Sequence, residues 1–373
     1  MAKLTTAEEV VREDLDYICN ELEAEFSKLK GKKLLLIGGA GFLGYYLTQS
    51  LLHLNSRSGE KEKVDVTVFD NFIRGVPDWL VALEKDPSLK LVRHDITHPL
   101  PEDMGAFDYI IHAASIASPT YYRKYPIETM DANVNGLRLV LDYCLKMKGE
   151  GTPVSGVLYY STSEIYGDPS PENIPTPETY RGNVSCTGPR ACYDESKRYG
   201  ETLCVNFAQQ HDLPVRIARP FNNYGPGLKI TDRRVLPDFA RDVLNGRDII
   251  MLSDGAPTRT FCYIADAIVG YYKVLITGRN GEPYNIGTEQ PEISMAELAD
   301  RVVALAAELF GYAGKVVRQK SQEADYLTDN PNRRCPRIEK ARGELGYEPK
   351  IGIDDGLRRT LCWYKSNSIA EDA

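Results

Sequence analysis

Tyr193 and Lys197 stand four residues apart in Tyr193-Asp194-Glu195-Ser196-Lys197, a spacing that puts both side chains on one face of a helix expected to run to about Gln210. A free phenol, with a pKa of about 10, is a poor base at neutral pH. A neighbouring ammonium favours the phenolate, so the pair could exchange a proton with a substrate hydroxyl. Alone, the spacing fits equally a surface lysine beside a half-buried tyrosine. The stretch Ser161-Thr162-Ser163-Glu164-Ile165-Tyr166-Gly167 adds hydroxyls and a carboxylate at the end of the apolar run Val157 to Tyr160. Open parallel sheets bind ligands at the carboxyl ends of such strands, where hydroxyl, phenol and ammonium could converge.

A second constellation is Gly38-Gly39-Ala40-Gly41-Phe42-Leu43-Gly44, which follows the apolar run Leu34 to Ile37 and opens a helical pattern over Tyr45 to Leu54. Glycines permit a tight turn and close approach of the backbone to a pyrophosphate, whose charge the helix N-terminus favours. Asp70 ends the next apolar run; a carboxylate there accepts from ribose hydroxyls and repels a 2′-phosphate, which favours NAD over NADP. A tight turn followed by a strand-end aspartate, with no nucleotide, is the alternative.

These residues need elements to hold them. Short apolar runs at Leu34–Ile37, Val64–Phe69, Leu89–Val92, Tyr109–Ala114, Val157–Tyr160 and Val215–Ala218 alternate with helical patterns. Runs of this kind suit strands buried on both faces of a parallel sheet, so the expected class is α/β, a Rossmann-type doubly wound sheet with a smaller C-terminal substrate-binding lobe. Val11, Leu15, Ile18, Leu22, Phe26 and Leu29 form the stripe of an amphipathic N-terminal helix, suited equally to core packing or a subunit contact. The division expected is an extension over 1–30, a dinucleotide-binding domain over 31–220, and a lobe over 221–373 that is loop-heavy after the turn-rich Asn222 to Gly227 and can send segments back to the first domain.

The 373 residues carry a formal net charge of −8, which argues against a duplex nucleic-acid binder. No run approaches the roughly 20 apolar residues of a membrane span and no signal-peptide pattern opens the chain, so the cytoplasm is the default compartment. The eight cysteines are scattered without zinc spacing, and no metal is expected.

Together these residues resemble the extended short-chain dehydrogenase/reductase family, over about residues 31 to 365. Within it the chain is most similar to UDP-glucuronate decarboxylases, the UDP-xylose synthases. That narrower likeness is carried by Asp70-Asn71-Phe72, Ala117-Ser118-Pro119-Thr120-Tyr121, Ser161 to Pro169, and Gly188 to Glu195. The resemblance implies NAD held by Gly38, Gly41, Phe42, Leu43, Gly44, Asp70, Asn71, Asp95, Ile96, Ala113, Tyr193 and Lys197. It implies catalysis by Thr162, Ser163, Glu164, Tyr193, Lys197 and Arg259. Substrate contacts are expected from Pro119, Tyr121, Arg190, Asn222, Arg234 and Arg259; guanidinium groups suit phosphate and carboxylate because their planar fork donates two hydrogen bonds. For Arg234, crowded beside Asp232 and Arg233, a solvated charge is the alternative, and Arg190 could instead brace the loop before Tyr193.

The implied reaction is oxidation of sugar carbon 4 with Tyr193 as base, loss of carbon dioxide from the β-keto acid so formed, protonation at carbon 5 aided by Glu164 or Arg259, and reduction to UDP-xylose, or escape of the 4-keto pentose. Glucose 4,6-dehydratases typically have Thr-Asp-Glu where this chain has Thr162-Ser163-Glu164; their aspartate helps water leave carbon 6, a task that decarboxylation does not require. Departures from the decarboxylase pattern are Ile37 for threonine, Arg181 for tryptophan, and Ser185-Cys186-Thr187 for Asn-Pro-Ile. A 4,6-dehydratase, a uronate 4-epimerase and a catalytically silent NAD-binding regulatory protein are the rival readings. The resemblance also implies a homodimer paired through helices, the one containing Tyr193 among them.

Overall fold

The computed structural model describes residues 6–319 and 331–367. In the first strand, β1 (Lys33–Ile37), every residue after Lys33 is buried. Alternate side chains leave opposite faces of a strand. Leu34 and Leu36 enter one hydrophobic core, and Leu35 and Ile37 the other. The strand is therefore apolar throughout because both faces of its sheet are covered, which is what made the run readable.

Five further strands match the expected runs: β2 (Asp65–Asp70), β3 (Leu89–Arg93), β4 (Tyr109–His112), β5 (Gly156–Tyr160) and β6 (Val215–Pro220). A seventh, Pro283–Ile286, comes from the second half of the chain and pairs with β6, with Asn285 opposite Arg219. The order is Pro283–Ile286, β6, β5, β4, β1, β2, β3, and every pairing is parallel. This is the doubly wound arrangement, with the order reversing between β1 and β4.

The region after Pro220 differs from the loop-heavy expectation. It holds the helices Val235–Leu244, Ile264–Thr277, Met295–Phe310, Glu339–Leu345 and Ile353–Asn367. Ile264–Thr277 is buried at twelve of its fourteen positions. A helix that is apolar all round leaves no periodic stripe to recognise. Among the described residues no helix is long and apolar enough to cross a membrane.

The N-terminal helix Ala7–Glu21 starts at a capping box in which Thr6 and Glu9 satisfy each other's backbone N–H groups. It breaks at Leu22 into a short helix, Glu23–Ser27. Leu15, Ile18, Leu22, Phe26 and Leu29 are buried and Val11 is partly buried against them, so the expected stripe packs into the chain's own core, with Val10 buried beside it. Among these apolar groups Asp14 is fully buried. Its carboxylate accepts from Tyr46 at 2.5 Å, Tyr263 at 2.6 Å and Arg359 at 2.7 Å, joining four segments of the chain. Burial raises its pKa to about 6 against the pull of Arg359. Asp14→Ala leaves two phenols and a guanidinium without their shared acceptor. It is expected to cost about 3 kcal/mol in urea unfolding, moderated because Arg359 retains Asp355. Asp14→Asn, which keeps an acceptor, is expected to cost less.

Candidate active site

The turn between β1 and the helix Phe42–Ser56 is shaped by its glycines. Gly38 has φ +84°, and a Cβ there would lie 2.5 Å from the Ala114 nitrogen. At Gly44 a Cβ would meet the Gly39 carbonyl oxygen at 2.0 Å, so only glycine lets the helix approach the turn. Gly41 is the helix N-cap and brings no side-chain cap, leaving the first N–H groups of the helix to an anion. Asp70, ending β2, accepts from the Ala40 N–H at 3.0 Å and the Phe72 N–H at 2.8 Å. Its carboxylate thus fixes the glycine turn and keeps lone pairs for ribose hydroxyls. Asn71 donates to Asp95 at 3.1 Å, the buried Ile96 packs against Gly136, and the Ala113 N–H binds the Ile37 carbonyl, so the ends of β1, β2 and β4 form one rim. Phe42 and Leu43 follow Gly41 in the first helical turn. This cradle fits a dinucleotide.

On the other side of β1 the helix Ala191–His211 carries Tyr193 and Lys197. Both are buried. Thr162 caps the short helical turn Ser163–Tyr166 by accepting from the Glu164 N–H, and the same side chain is hydrogen-bonded to Tyr193. Lys197 donates to the Tyr160 carbonyl at 2.8 Å, and its Nζ lies 5.9 Å from the centre of the Tyr193 ring. Hydroxyl, phenol and ammonium therefore do converge. Burial pushes the Tyr193 phenol up to about 12, although the Thr162 hydrogen bond opposes the shift. Burial also lowers Lys197 to about 7. The chain's own residues thus hold the base protonated, and a cationic ring beside it is what would favour the phenolate.

Around Glu164 stand three arginines. Arg190 pairs with its Oε2, Arg334 donates to the same oxygen at 2.5 Å, and Arg259 adds its charge nearby. Burial works against the charged carboxylate, yet the three guanidiniums outweigh it and hold Glu164 at about 2. It has no proton to deliver at neutral pH; it anchors the arginines. Arg259, held by the carbonyls of Thr258, Pro331 and Asn332, is lowered to about 9 by burial and by Arg334. Arg259, the other group expected to aid proton delivery, stands beside the same carboxylate.

Other expected residues fall at varied distances from this centre. Asn222, in the left-handed region at φ +43°, donates to the Thr260 carbonyl at 2.8 Å and accepts from Arg334, so it sits in the arginine cluster. Arg234 is ion-paired with Asp232 at 2.9 Å and its charge reaches Tyr193, while its side chain stays 34% exposed. Ser163 is buried in the Thr162 turn. Pro119 starts the helix Pro119–Lys124, in which Tyr121 lies beneath Arg74 while its neighbour Tyr122 stacks on Tyr193.

Three groups escaped the sequence reading. Arg334 pairs with Arg259 in register between the strands Arg333–Arg334 and Thr258–Thr260, which sends both side chains to one face. In the sequence it is one cation among several, 170 residues from its carboxylate. Tyr122, beside the expected Tyr121, gives no sign in the sequence of its stack on Tyr193. Arg219 donates twice to Glu201, at 2.8 and 2.6 Å, and once to Tyr166 at 2.7 Å, bracing the Ser163–Tyr166 turn against β6 and the helix Ala191–His211.

Residues 34–287 match the NAD dependent epimerase/dehydratase family. The chain belongs to that family. Within the NAD dependent epimerase/dehydratases it is similar to UDP-glucuronic acid decarboxylase 5 of Arabidopsis thaliana, at 38% identity over 326 residues, 87% of each chain. It is also similar to UDP-glucuronic acid decarboxylase 1 of Xenopus tropicalis, at 35% identity over 339 residues, 90% of this chain and 72% of the relative. Among solved structures, a dTDP-glucose 4,6-dehydratase from Streptomyces venezuelae with NAD bound superposes with a TM-score of 0.75 at 26% identity, covering 90% of this chain and 97% of the other. The UDP-glucuronic acid 4-epimerase of Bacillus cereus, in complex with UDP-glucuronic acid and NAD, gives 0.71 at 25% identity, covering 90% and 99%. The chain is thus an NAD-dependent enzyme, and its glycine turn, Asp70 and buried Tyr193 and Lys197 fit that cofactor.

Lys197 also provides a test of how the site is held. With a folded pKa of about 7 against about 10.5 unfolded, the unfolded chain binds more protons between those values, so this group makes stability rise with pH across that window. Lys197→Met is expected to abolish turnover and to raise the melting temperature most at pH 6. The gain should shrink toward pH 10; a gain that grows with pH contradicts the assignment.

Proposed function

We propose that this enzyme decarboxylates UDP-glucuronate to UDP-xylose through transient oxidation at sugar carbon 4. The observation that carries the reading is the arginine cluster beside Tyr193. Arg190, Arg259 and Arg334 gather around the carboxylate of Glu164, with Asp194 beside Arg190 and Asp168 near Arg259, and three guanidiniums in one cluster suit an acidic sugar. The likeness to UDP-glucuronic acid decarboxylases of a plant and a frog supports the same substrate, and Ser163 supports loss of carbon dioxide over loss of water.

NAD, when bound, supplies the hydride acceptor at carbon 4 and a cationic ring that draws Tyr193 toward its phenolate. Thr162 orients the carbon-4 hydroxyl and Tyr193 takes its proton. Arg190 and Arg334, fixed by Glu164, hold the acidic substrate in place; its carboxylate is β to the new ketone, so the bond from carbon 5 to the carboxylate breaks, carbon dioxide leaves, and the bonding electrons are taken up by that ketone as an enolate. Arg259 provides the proton at carbon 5, and Tyr193 returns its own to the carbon-4 oxygen as the ketone is reduced.

The test is incubation of the pure protein with UDP-glucuronate and catalytic NAD. Carbon dioxide and a pentose nucleotide are expected. Tyr193→Phe should bind NAD with turnover down about 10³-fold or more. Accumulation of UDP-galacturonate without carbon dioxide would overturn the reading in favour of a 4-epimerase.

We also propose that the enzyme is a homodimer paired through the helices Pro126–Asp131 and Ala191–His211. These pack together and leave Ile127, Met130 and Tyr199 exposed at 64%, 43% and 51%. Apolar groups in one such patch suit a second copy. Sedimentation is expected to give twice the 41.8 kDa chain mass, with Ile127→Asp shifting the protein to monomer.

A further inference from the structure

We propose that Tyr122 is a positioning residue for Tyr193, acting through its ring to hold the phenol against Thr162. The inference rests on the reading of Tyr193 as the base.

The two rings are nearly parallel, at 8°, with centres 5.0 Å apart. Tyr122 is only 1% exposed, and its neighbours include Arg190, Tyr193 and Asp194 at the start of the helix Ala191–His211 and Glu164 in the Thr162 turn. Its carbonyl accepts from the Cys192 thiol at 3.5 Å, and the Arg190 guanidinium lies 5.9 Å from its ring centre. Arg190, Cys192 and Tyr193 thus all bear on one aromatic ring carried by a different helix, Pro119–Lys124. Arg190 is itself tied to Glu164 in the Thr162 turn. The stack therefore links the base to the turn that carries its hydrogen-bond partner.

The physical need for such a support is specific to a tyrosine base. Its oxygen stands at the far end of the ring, so a small rocking about the side-chain torsions displaces it much more than the ring's root. A displacement of about 1 Å at a reacting group can cost about 10²-fold in rate. The parallel ring of Tyr122 blocks rocking on one face of Tyr193, and offset stacking is a favoured geometry for such a pair. The hydrogen bond from Thr162 also draws Tyr193 toward the phenolate. A ring free to rock would lose that bond for part of the time and become a weaker acid.

The holoenzyme with NAD and UDP-glucuronate tests this through three proteins: wild type, Tyr122→Phe and Tyr122→Leu. Tyr122→Phe keeps the stack, and should hold kcat within about threefold of wild type with an unchanged pH profile. Tyr122→Leu should bind NAD normally, lose about 100-fold in kcat, and move the acid limb of kcat/KM to higher pH by about one unit. A merely structural role would lower the melting temperature without moving that limb. Should leucine cost the fold, Tyr122→Met, which fills similar space without a ring, is judged by the same criteria. The proposal is overturned if the ringless variant keeps the wild-type profile. It is equally overturned if Tyr122→Phe falls as far as Tyr122→Leu, because the hydroxyl and not the ring would then be what matters. A wild type that releases no carbon dioxide overturns the decarboxylase reading instead, and the Tyr122 criteria then apply to the pH profile of whichever nucleotide sugar the wild type oxidises.

Discussion

The ionised carboxylate of Glu164 holds together a site that would otherwise repel itself. Arg190, Arg259 and Arg334 crowd around one carboxylate, and at Arg259 burial, with the charges of Arg334 and Arg190 added, lowers the guanidinium to about 9. Buried charges of one sign are tolerated only with opposite charge among them. Glu164 comes from the turn after β5, Arg190 from the residue before the helix Ala191–His211, and the other two from the small sheet of Arg333–Arg334 and Thr258–Thr260. One carboxylate therefore fixes three segments. Arg219 with Glu201 and Tyr166 repeats the device beneath the same turn, so the Thr162 hydroxyl is braced from both sides.

Against this bracing, Tyr193 and Lys197 are set in an environment that resists their use. Both are buried, and burial moves each toward its uncharged form. Groups displaced in this way by desolvation cluster at functional sites, because a displaced pKa is what a change of charge during the reaction can exploit. The phenol is poised to lose its proton when positive charge arrives beside it. The ammonium can hold or lose its own near neutral pH. A stability-optimised chain would place apolar groups at both positions.

How far the sequence revealed this depended on whether an element's role left a local trace. Strands buried on both faces appear as unbroken apolar runs, and six of the seven were readable; Pro283–Ile286, with Asn285 at its centre and proline at its start, was not. The glycine turn was readable because Gly38 and Gly44 answer to local sterics. Tyr193 and Lys197 share a helix, so their spacing encodes their contact. Arg334 has no such trace: its partners Arg259 and Glu164 lie 75 and 170 residues away, and only the register of two short strands brings them together. Tyr122 has no such trace either, since which of two adjacent tyrosines stacks on Tyr193 is decided by the angle at which a six-residue helix leaves Ser118. The burial of Ile264–Thr277 on all sides likewise erased the period by which a helix is recognised.

Ser163 has a meaning beyond the absence of an acid. It is buried in the turn that carries Glu164, beside the cluster that Arg190, Arg259 and Arg334 share with that carboxylate and Asp194. An aspartate there would add a negative charge to the cluster and weaken its attraction for a further carboxylate, while providing the acid that helps water leave. A serine adds no charge and provides no acid for elimination. The two consequences follow from one side chain and point the same way, toward the acidic sugar and the decarboxylation proposed above.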